Sequence, residues 1–343
     1  MIELGIIGCG GMGSHHARTF HRMEKTEVTR VADLVEEKAV KLGREIGARP
    51  TTDFREMLPD VDAVVICTEP FRRTDVVVEC ARAGMDMFAE KPLALNLREA
   101  DQILEAVEQA GVLFMTGYVL RYTHPYKLLC ETFNSGELGR LVNCWTRRYM
   151  PCSMVGTWYG DQEKSGGIAL DFASHDIDLL RWMGGDVKTA FAHADRVRPA
   201  IRADEHAQAL LAFENGGMAA LDVSWSSWLD ETSLGVIGTE GSIVVDRSGT
   251  VRKKIGDKKE QILSTQGAMS VNLAGDLGQK DGDGNIQAVA SREETIQEHF
   301  VRCLEEGVEP KTNGRDARGV LQTVLAIHES ARTGRAVHLN GTG

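Results

Sequence analysis

The glycine-rich segment Gly8-Cys9-Gly10-Gly11-Met12-Gly13 directly follows the apolar run at residues 2–7, and Asp33 stands twenty positions beyond its last glycine. The segment closes a predicted strand and opens a predicted helix over residues 12–23. A second predicted strand, residues 28–32, ends at the acid. This succession of strand, glycine turn, helix, strand and acid is typical of a unit that binds a dinucleotide.

Each glycine of the motif has a physical role in holding a pyrophosphate. Gly8 permits the tight turn, Gly10 lets the backbone approach the phosphates, and Gly13 lets helix and strand pack closely. The N–H groups and the positive dipole end of the helix then bind the anion. The loop residues predicted to contact the cofactor are Gly8, Cys9, Gly10, Gly11, Met12 and Gly13.

Asp33 indicates which dinucleotide is bound. Its carboxylate can accept hydrogen bonds from both ribose hydroxyls, whereas a 2′-phosphate at that place would face charge repulsion. NAD is therefore the predicted cofactor, and NADP is disfavoured. Arg30 does not change this prediction because it lies within the strand. A P-loop is excluded because no Gly-Lys-Ser/Thr follows the glycines.

Length and charge limit the remaining possibilities. A chain of 343 residues exceeds what one hydrophobic core supports, so two domains are expected. Fifty acids against 39 lysines and arginines give a net charge of −11, with no basic block. Nucleic acid and anionic membranes are therefore not expected as partners.

The cellular location is predicted from the N-terminus and the cysteines. The chain begins with a strand, lacks the features of a signal peptide, and has no run near the ~20 apolar residues that a membrane helix needs. Its seven scattered cysteines form no C-x-x-C pair, which suits a reducing compartment and argues against zinc. A soluble, cytoplasmic protein without a metal site is expected. For Cys9, a small buried residue is favoured over a reactive thiol.

The first third of the chain alternates strands and helices, the pattern of a doubly wound parallel sheet. The pattern stops near Tyr122. The further predicted strands lie at residues 63–67, 86–89 and 112–116, and the helices at residues 35–46, 74–83 and 97–110, the last with Asn96 as N-cap.

The second part of the chain has a different pattern. A helix is predicted over residues 165–185, and strands at residues 207–214 and 218–224 flank Asn215-Gly216, a strong hairpin signal. A second turn, at residues 238–241, joins strands at 233–237 and 242–246. An antiparallel sheet with one face open to a partner subunit is expected. A mobile loop is predicted at residues 264–286, followed by helices at 293–306 and 316–333.

Lys91 and His175 are the candidates for chemistry. Lys91, in the triplet Glu90-Lys91-Pro92, follows a predicted strand at the edge where open α/β sheets bind ligands. Asp171 and His175 are four residues apart, so on a helix they share a face. An imidazole can take a hydroxyl proton near neutral pH, and a carboxylate beside it stabilises its cation. The alternatives are an ordinary surface pair, or a metal site formed by His175, Asp176 and Asp178.

These motifs together resemble a known family. The glycine loop, the Glu90-Lys91-Pro92 triplet, the Gly-Gly stretch with Asp171 and His175, and the turn at residues 238–241 have the order and spacing of the glucose-fructose oxidoreductase and myo-inositol dehydrogenase family. The most specific element is the triplet combined with the Asp-x-x-x-His segment eighty residues later. The resemblance covers nearly the whole chain.

The resemblance implies an NAD(P)-dependent dehydrogenase acting on a sugar, cyclitol or related polyol. It implies an α/β N-terminal Rossmann domain at residues 1–121 and a C-terminal α+β domain at residues 122–343, built on a large, mostly antiparallel open sheet. That sheet would join subunits into a homodimer or homotetramer. NAD-dependent glycosidases that use transient oxidation, and non-catalytic NAD-binding sensors, are the alternatives. A sensor would not require Lys91, Asp171 and His175 together.

The resemblance also implies residue roles. Lys91 would contact the reacting oxygen, His175 would be the general acid/base, and Asp171 would bind a substrate hydroxyl and tune the pair. The Lys91-Pro92 bond is expected to be cis. The further residues expected at the cofactor are Thr68 and Glu90, and those expected at the substrate are Tyr118, Arg121 and Trp158.

Some residues differ from the family pattern near the expected substrate. Many relatives carry a histidine where this chain has Arg73, with Arg72 beside it, and Leu120 precedes Arg121 where an arginine is common. The three arginines could bind an acidic sugar such as a uronate. Surface charges are the favoured interpretation.

Overall fold

A computed structural model describes residues 1–265 and 293–339, together with the backbone of residues 279–280 and 286–287. The loop predicted at residues 264–286 lies largely outside these ranges. The described residues divide into two compact units. Residues 1–118 and 294–318 form the first unit, and residues 119–265, 293 and 319–339 belong to the second. No helix in the described part of the chain is long and apolar enough to cross a bilayer.

The first unit contains a six-stranded sheet in which every strand pair is parallel. Its spatial order is β3-β2-β1-β4-β5-β6, which confirms the predicted doubly wound Rossmann fold. The strands are β1 Ile2–Ile7, β2 Thr26–Ala32, β3 Arg49–Thr51, β4 Ala63–Ile66, β5 Asp86–Ala89 and β6 Phe114–Thr116.

Ten helices lie in the described residues of the two units. The predicted helices at residues 35–46, 97–110, 293–306 and 316–333 are confirmed with small shifts of their ends. The helices are α1 Gly11–His21, α2 Glu36–Ile46, α3 Pro70–Arg82, α4 Leu97–Ala110, α5 His124–Asn134, α6 Gln162–Ser165, α7 Gly167–Asp171, α8 Ser174–Gly184, α9 Ile296–Glu306 and α10 Gly314–Thr333.

The core of the first unit is the centre of its sheet. All four residues of β4 are fully buried, as are Leu4 and Ile6 of β1, because helices cover both faces of a parallel sheet. Local signals set the helix ends. The side chain of Asn96 accepts a hydrogen bond from the backbone N–H of Glu99 at 3.0 Å, which confirms the predicted N-cap of α4. The helix ends at Gly111, whose φ of 65° suits glycine.

The second unit contains a nine-stranded sheet, ordered β14-β13-β12-β11-β7-β10-β9-β8-β17. The pair β7 and β10 is parallel, and the other neighbours are antiparallel, as predicted for a mostly antiparallel sheet. Its strands are β7 Leu141–Tyr149, β8 Val187–Asp195, β9 His206–Phe213, β10 Met218–Ser224, β11 Glu231–Gly238, β12 Gly241–Val245, β13 Val251–Ile255, β14 Gln261–Ser264 and β17 Val337–His338. The two-residue strands β15 Gln279–Lys280 and β16 Ile286–Gln287 pair with each other.

The predicted hairpin at Asn215-Gly216 is confirmed. Strands β9 and β10 pair antiparallel, with Met218 opposite Ala212. Gly216 and Gly217 have φ angles of 85° and 81°, which only glycine adopts without strain. The second predicted turn joins β11 and β12 in the same way.

The single helix predicted over residues 165–185 is wrong. The structure has three helices there, α6, α7 and α8. Gly166 and Gly167 have φ angles of 72° and 67°, so left-handed backbone ends α6 and starts α7 in a new direction. A second break lies at Phe172 and Ala173, between α7 and α8.

Candidate active site

Two positions of the glycine loop at the end of β1 have no room for any residue but glycine. A Cβ on Gly13 would lie 1.7 Å from the carbonyl oxygen of Gly8, and one on Gly8 would lie 2.8 Å from the carbonyl group of Cys67. Gly8 also has a φ of 96°. At Gly10 and Gly11, by contrast, an added Cβ would meet no atom of the described chain within 4 Å. The loop is therefore tightly packed beneath and open above, where a pyrophosphate would approach.

Asp33 is held in a fixed orientation at the end of β2. Its Oδ2 accepts the backbone N–H of Cys9 at 2.8 Å, and its Oδ1 accepts the backbone N–H of Val35 at 2.8 Å. The acid is thus tied to the glycine loop and to the start of α2. Together with the open cradle, this arrangement fits a dinucleotide whose ribose hydroxyls meet the carboxylate.

Cys9 is a buried structural residue, as favoured from the sequence. Its thiol lies 3.5 Å from the carbonyl oxygen of Ala32. Burial, followed by the negative charge of Asp33, raises the pKa of this thiol to about 12. A raised pKa favours the protonated thiol near neutral pH, which supports the structural interpretation over the reactive one.

Thr68 lies beside the loop, on the turn that follows β4. Its backbone nitrogen would be 3.1 Å from a Cβ on Gly8. Its hydroxyl Oγ1 is buried and has no hydrogen-bond partner among the described residues. A buried polar atom without a partner costs free energy unless something binds it. This observation fits the predicted contact between Thr68 and the cofactor.

A cationic groove, which sequence reasoning missed, runs between α1 and α2 next to the glycine loop. It has a volume of about 530 Å³. The periodicity of the two helices could have indicated it, because its residues recur at helical spacing. Its basic lining residues are His15, Arg18, Arg22, Lys38 and Lys41, and Glu45, which pairs with Arg18, also lines it. In a chain of net charge −11, such a groove favours an anionic ligand at this edge.

The Glu90-Lys91-Pro92 triplet follows β5, and the Lys91-Pro92 bond is cis, as expected. Glu90 is buried, and its Oε1 lies 2.8 Å from Nε2 of His16. Burial opposes ionisation of Glu90, but the hydrogen bond from His16 and the charges of Lys91 and Arg73 outweigh it and lower the pKa of this carboxyl. A carboxylate therefore lies directly beside the Lys91 backbone, whose N–H donates to Glu90 Oε2 at 3.1 Å.

The surface interpretation of the three arginines is correct only for Arg72. Arg72 is exposed and lies over the ring of Phe71. Arg73 is buried and donates to backbone carbonyl groups. Arg121 is also buried and forms a two-bond ion pair with Asp178, at 2.8 and 2.6 Å. The two guanidinium groups can be buried because carbonyl and carboxylate oxygens accept their hydrogen bonds.

Asp171 and His175 lie close in the chain but on different helices of the second unit. Asp171 is the last residue of α7 and is buried, and His175 is the second residue of α8 and is half-buried. Phe172 and Ala173 between them keep right-handed helical dihedral angles. The pairing of the Asp171 and His175 side chains stays a prediction.

The alternative metal site is disfavoured by the contacts of its carboxylates. Asp176 accepts the hydroxyl of Thr146 at 2.6 Å and pairs with Arg148. Asp178 pairs with Arg121. The described residues contain no group of three or more His, Cys, Asp or Glu side chains that could hold a metal ion.

The predicted substrate residues Tyr118 and Trp158 have different surroundings. Tyr118 follows β6 and is buried. Trp158 begins a short 3-10 helix, Trp158–Gly160, in the second unit. Its indole ring stacks on Tyr159 with centroids 3.8 Å apart. It is half-buried, so part of this aromatic surface remains available to a ligand.

The glycine loop, the oriented acid and the doubly wound sheet define an NAD-binding oxidoreductase. Residues 2–118 match the family model for an oxidoreductase family with an NAD-binding Rossmann fold, and residues 126–244 match the model for the GFO/IDH/MocA C-terminal domain. The chain therefore belongs to the GFO/IDH/MocA oxidoreductase family. The predicted NAD-dependent dehydrogenase is confirmed, and the comparisons do not favour a glycosidase or a sensor.

Two curated relatives and one solved structure illustrate the similarity. The chain is 28% identical over 257 residues to myo-inositol 2-dehydrogenase of Thermotoga maritima, covering 71% of this chain and 75% of that protein. It is 26% identical over 353 residues to scyllo-inositol 2-dehydrogenase (NAD+) of Bacillus subtilis, covering 99% and 96%. Levoglucosan dehydrogenase, in complex with NADH and L-sorbose, superposes with a TM-score of 0.83 at 21% identity over 99% of both chains. This last similarity concerns the fold alone.

Proposed function

We propose that this protein transfers a hydride between NAD and a secondary alcohol of a sugar, cyclitol or related polyol. The named activities of the relatives support this substrate class, since two of them are inositol dehydrogenases. A further relative, from Paraburkholderia graminis, is D-apiose dehydrogenase, 28% identical over 345 residues.

The strand order of the first unit is the observation that carries the proposal. Strands β2, β1, β4 and β5 are neighbours in that order, and all run parallel. Their carboxyl ends therefore meet at one edge of the sheet. Asp33, Gly8, Thr68 and Lys91 follow these four ends. One edge of the sheet thus carries the acid proposed to bind the ribose, the loop proposed to bind the phosphates, and a lysine.

The roles of the residues follow from their chemistry. The bound nicotinamide supplies the hydride acceptor. Lys91 donates a hydrogen bond to the alcohol oxygen and stabilises the negative charge that develops there, an effect worth about 3 kcal/mol in comparable sites. His175 takes the hydroxyl proton as the C–H bond breaks and the carbonyl forms. Asp171 binds a neighbouring hydroxyl and stabilises the imidazolium.

We also propose that Tyr118, Arg121 and Trp158 form part of the substrate surface. The planar indole of Trp158 suits the apolar face of a cyclic polyol. Arg121 would support the substrate surface indirectly. Its two hydrogen bonds to Asp178 hold the chain at Arg121 against α8. The glycine loop and Thr68 complete the proposed cofactor contacts, whereas the buried Glu90 carboxylate is bound by His16 and by the Lys91 N–H.

A substrate panel tests the function. Cyclitols, aldoses and uronates are offered with NAD and then with NADP, and NADH or NADPH formation is followed by absorbance. Turnover of at least one cyclic polyol is expected, faster with NAD. Absence of reduction with every compound would contradict the proposal, and sugar release without net NADH would favour a glycosidase instead.

The open face of the nine-stranded sheet is the proposed subunit interface. Phe191 lies opposite Leu210, Leu210 opposite Ala220, and Ala220 opposite Trp145, so the four side chains form one row across four strands. Leu210 is 62% exposed, and such an apolar row favours association. Leu210→Lys is expected to shift a dimer or tetramer to smaller species in light scattering.

We also propose that the protein is cytoplasmic. Cell fractionation tests this location.

A further inference from the structure

We propose that Arg73, together with His16 and Gln297, positions Lys91 for catalysis. The three side chains come from α3, α1 and α9 and hold the Glu90-Lys91-Pro92 segment from two sides. The inference rests on the proposed role of Lys91. It adds three residues that do not contact the substrate themselves but hold Lys91 in place.

Arg73 holds the backbone on both sides of Lys91. One terminal nitrogen of its guanidinium donates to the carbonyl oxygens of both Glu90 and Pro92. The other donates to the carbonyl oxygen of Thr68, on the turn after β4. A single planar group thereby fixes the peptides flanking Lys91 relative to the turn that lies beside the glycine loop. A lysine in its place could not reach three carbonyl groups in this geometry.

His16 and Gln297 hold the other side of the segment. The amide nitrogen of Gln297 donates to His16 Nδ1 at 3.1 Å, which leaves His16 Nε2 to donate to Glu90 Oε1 at 2.8 Å. The second oxygen of Glu90 accepts the Lys91 N–H. The chain of hydrogen bonds therefore runs from α9, through α1, to the backbone of Lys91.

The network is closed to solvent and leaves little room for adjustment. Arg73, His16, Glu90 and Gln297 are all at least 93% buried. A Cβ on Gly117 would lie 2.8 Å from Glu90 Oε2, so the backbone after β6 closes directly over the carboxylate. Substitution of one member would loosen this buried network and allow Lys91 to move.

Small displacements of a catalytic group are costly for turnover. Misplacement by about 1 Å can reduce the rate about 100-fold, although the substrate and cofactor still bind. A positioning role therefore predicts a loss in kcat with little change in NAD affinity. A merely structural role would reduce thermal stability and NAD affinity together.

The first test compares Arg73→Lys and Arg73→Met with the matched variants Arg72→Lys and Arg72→Met. Arg72 is the exposed neighbour on the same helix. Arg73→Lys is expected to lower kcat about 10- to 100-fold, with the Kd for NAD within about twofold of the parent. Hydrogen–deuterium exchange of the peptide covering residues 86–97 is expected to become faster. The Arg72 variants should match the parent in all three measurements.

The second test uses His16. His16→Gln keeps a side-chain N–H donor for Glu90, whereas His16→Leu removes it. His16→Gln should retain more kcat than His16→Leu, and the exposed His21→Leu should behave as the parent protein.

Parent-level kcat and unchanged exchange in Arg73→Lys would overturn the inference, as would equal losses of kcat and NAD affinity. If Arg73→Met fails to fold, Arg73→Lys decides, because it keeps the buried charge. Failure of the proposed function is separate: the parent protein would then reduce NAD with no compound of the panel, or Lys91→Ala would keep normal turnover. The exchange measurement would still show whether Arg73 holds the segment.

Discussion

The carboxylate of Asp33 accepts the backbone N–H of Cys9 at 2.8 Å, so the acid that follows β2 is joined to the glycine loop that follows β1. The same side chain also accepts the N–H of Val35. Two backbone donors fix the orientation of the carboxylate. A negative charge is thus held where a ribose would bind.

Asp33→Asn is expected to weaken the preference for NAD. The amide removes the charge that would repel a 2′-phosphate, and Lys38 and Lys41, which line the groove beside the loop, then attract that phosphate. The ratio of the NAD and NADP dissociation constants should change at least about tenfold, or about 1.4 kcal/mol. Fluorescence titration of both cofactors measures this ratio.

Asp62→Asn is the matched control for that experiment. Asp62 also accepts a backbone N–H of β1, from Glu3 at 2.8 Å, but it precedes β4 rather than following β2. The Asp62→Asn variant should leave the ratio of the NAD and NADP dissociation constants unchanged. An unaltered ratio in the Asp33 variant as well would remove the charge argument for cofactor choice.

Lys91→Ala and His175→Ala are expected to bind NAD normally and to lose turnover. The first removes the donor to the alcohol oxygen and the second removes the proton acceptor, so kcat should fall about 10²- to 10⁴-fold. Steady-state kinetics and calorimetric NAD titration provide the two readouts. Lys188→Ala, at an exposed position of β8, is the control for lost charge. Near-normal kcat in both active-site variants would be incompatible with the proposed mechanism.

Arg121→Met is expected to destabilise the protein strongly. Asp178 is fully buried, and removing its partner would leave a charge without compensation, at a cost of about 3–5 kcal/mol. Arg147→Met is the matched exposed case, because Arg147 is 53% exposed in its pair with Asp222 and should cost at most about 1 kcal/mol. Urea unfolding measures both values. Equal costs would show that burial of the Arg121 pair has no special effect.

Glu90 should make stability depend on pH in the acid range. Its pKa in the folded protein lies below the usual 4.5, so its contribution is present above pH 4.5 and is lost as the pH falls through the lowered folded value. Glu90→Gln should therefore flatten the fall in the free energy of unfolding below about pH 4.5, by up to about 1.4 kcal/mol per pH unit. Urea titrations at several pH values test this, with the exposed Glu27→Gln as control. Parallel pH curves for parent and Glu90→Gln would contradict it.

The parts of the fold predicted from sequence are those whose signal is local. The motif from Gly8 to Gly13 needs no information from distant residues, because the close contact between Gly13 and Gly8 is made within the turn itself. The apolar run of β4 and the Asn215-Gly216 turn are equally local. The doubly wound parallel sheet is also predictable, because right-handed crossovers leave few arrangements of such units.

The parts that were missed depend on distant partners. No element is predicted from the sequence at residues 141–149, where β7 forms the centre of the second sheet. Its buried positions include Thr146 and Arg148, so apolar alternation is interrupted. Those polar groups are buried because Asp176 of α8, about thirty positions away, binds both.

The prediction that Arg73 is a surface charge is wrong for the same reason. A lone arginine near a helix start is usually exposed, and the three carbonyl groups that it binds lie up to nineteen positions away. The site residues at the glycine loop could therefore be named from the motif. The side chains that support Lys91 could be found only after the chain had folded.

The high pKa of the Cys9 thiol also affects how the enzyme responds to oxidants and alkylating reagents. At neutral pH, a thiol with a pKa of about 12 is ionised to the extent of about one part in 10⁵, and only the thiolate reacts readily. Although this sulfur lies in the turn that holds the dinucleotide, cofactor affinity should survive peroxide or iodoacetamide treatment that modifies accessible cysteines. We therefore expect no redox sensitivity at this sulfur, although it lies in the nucleotide cradle.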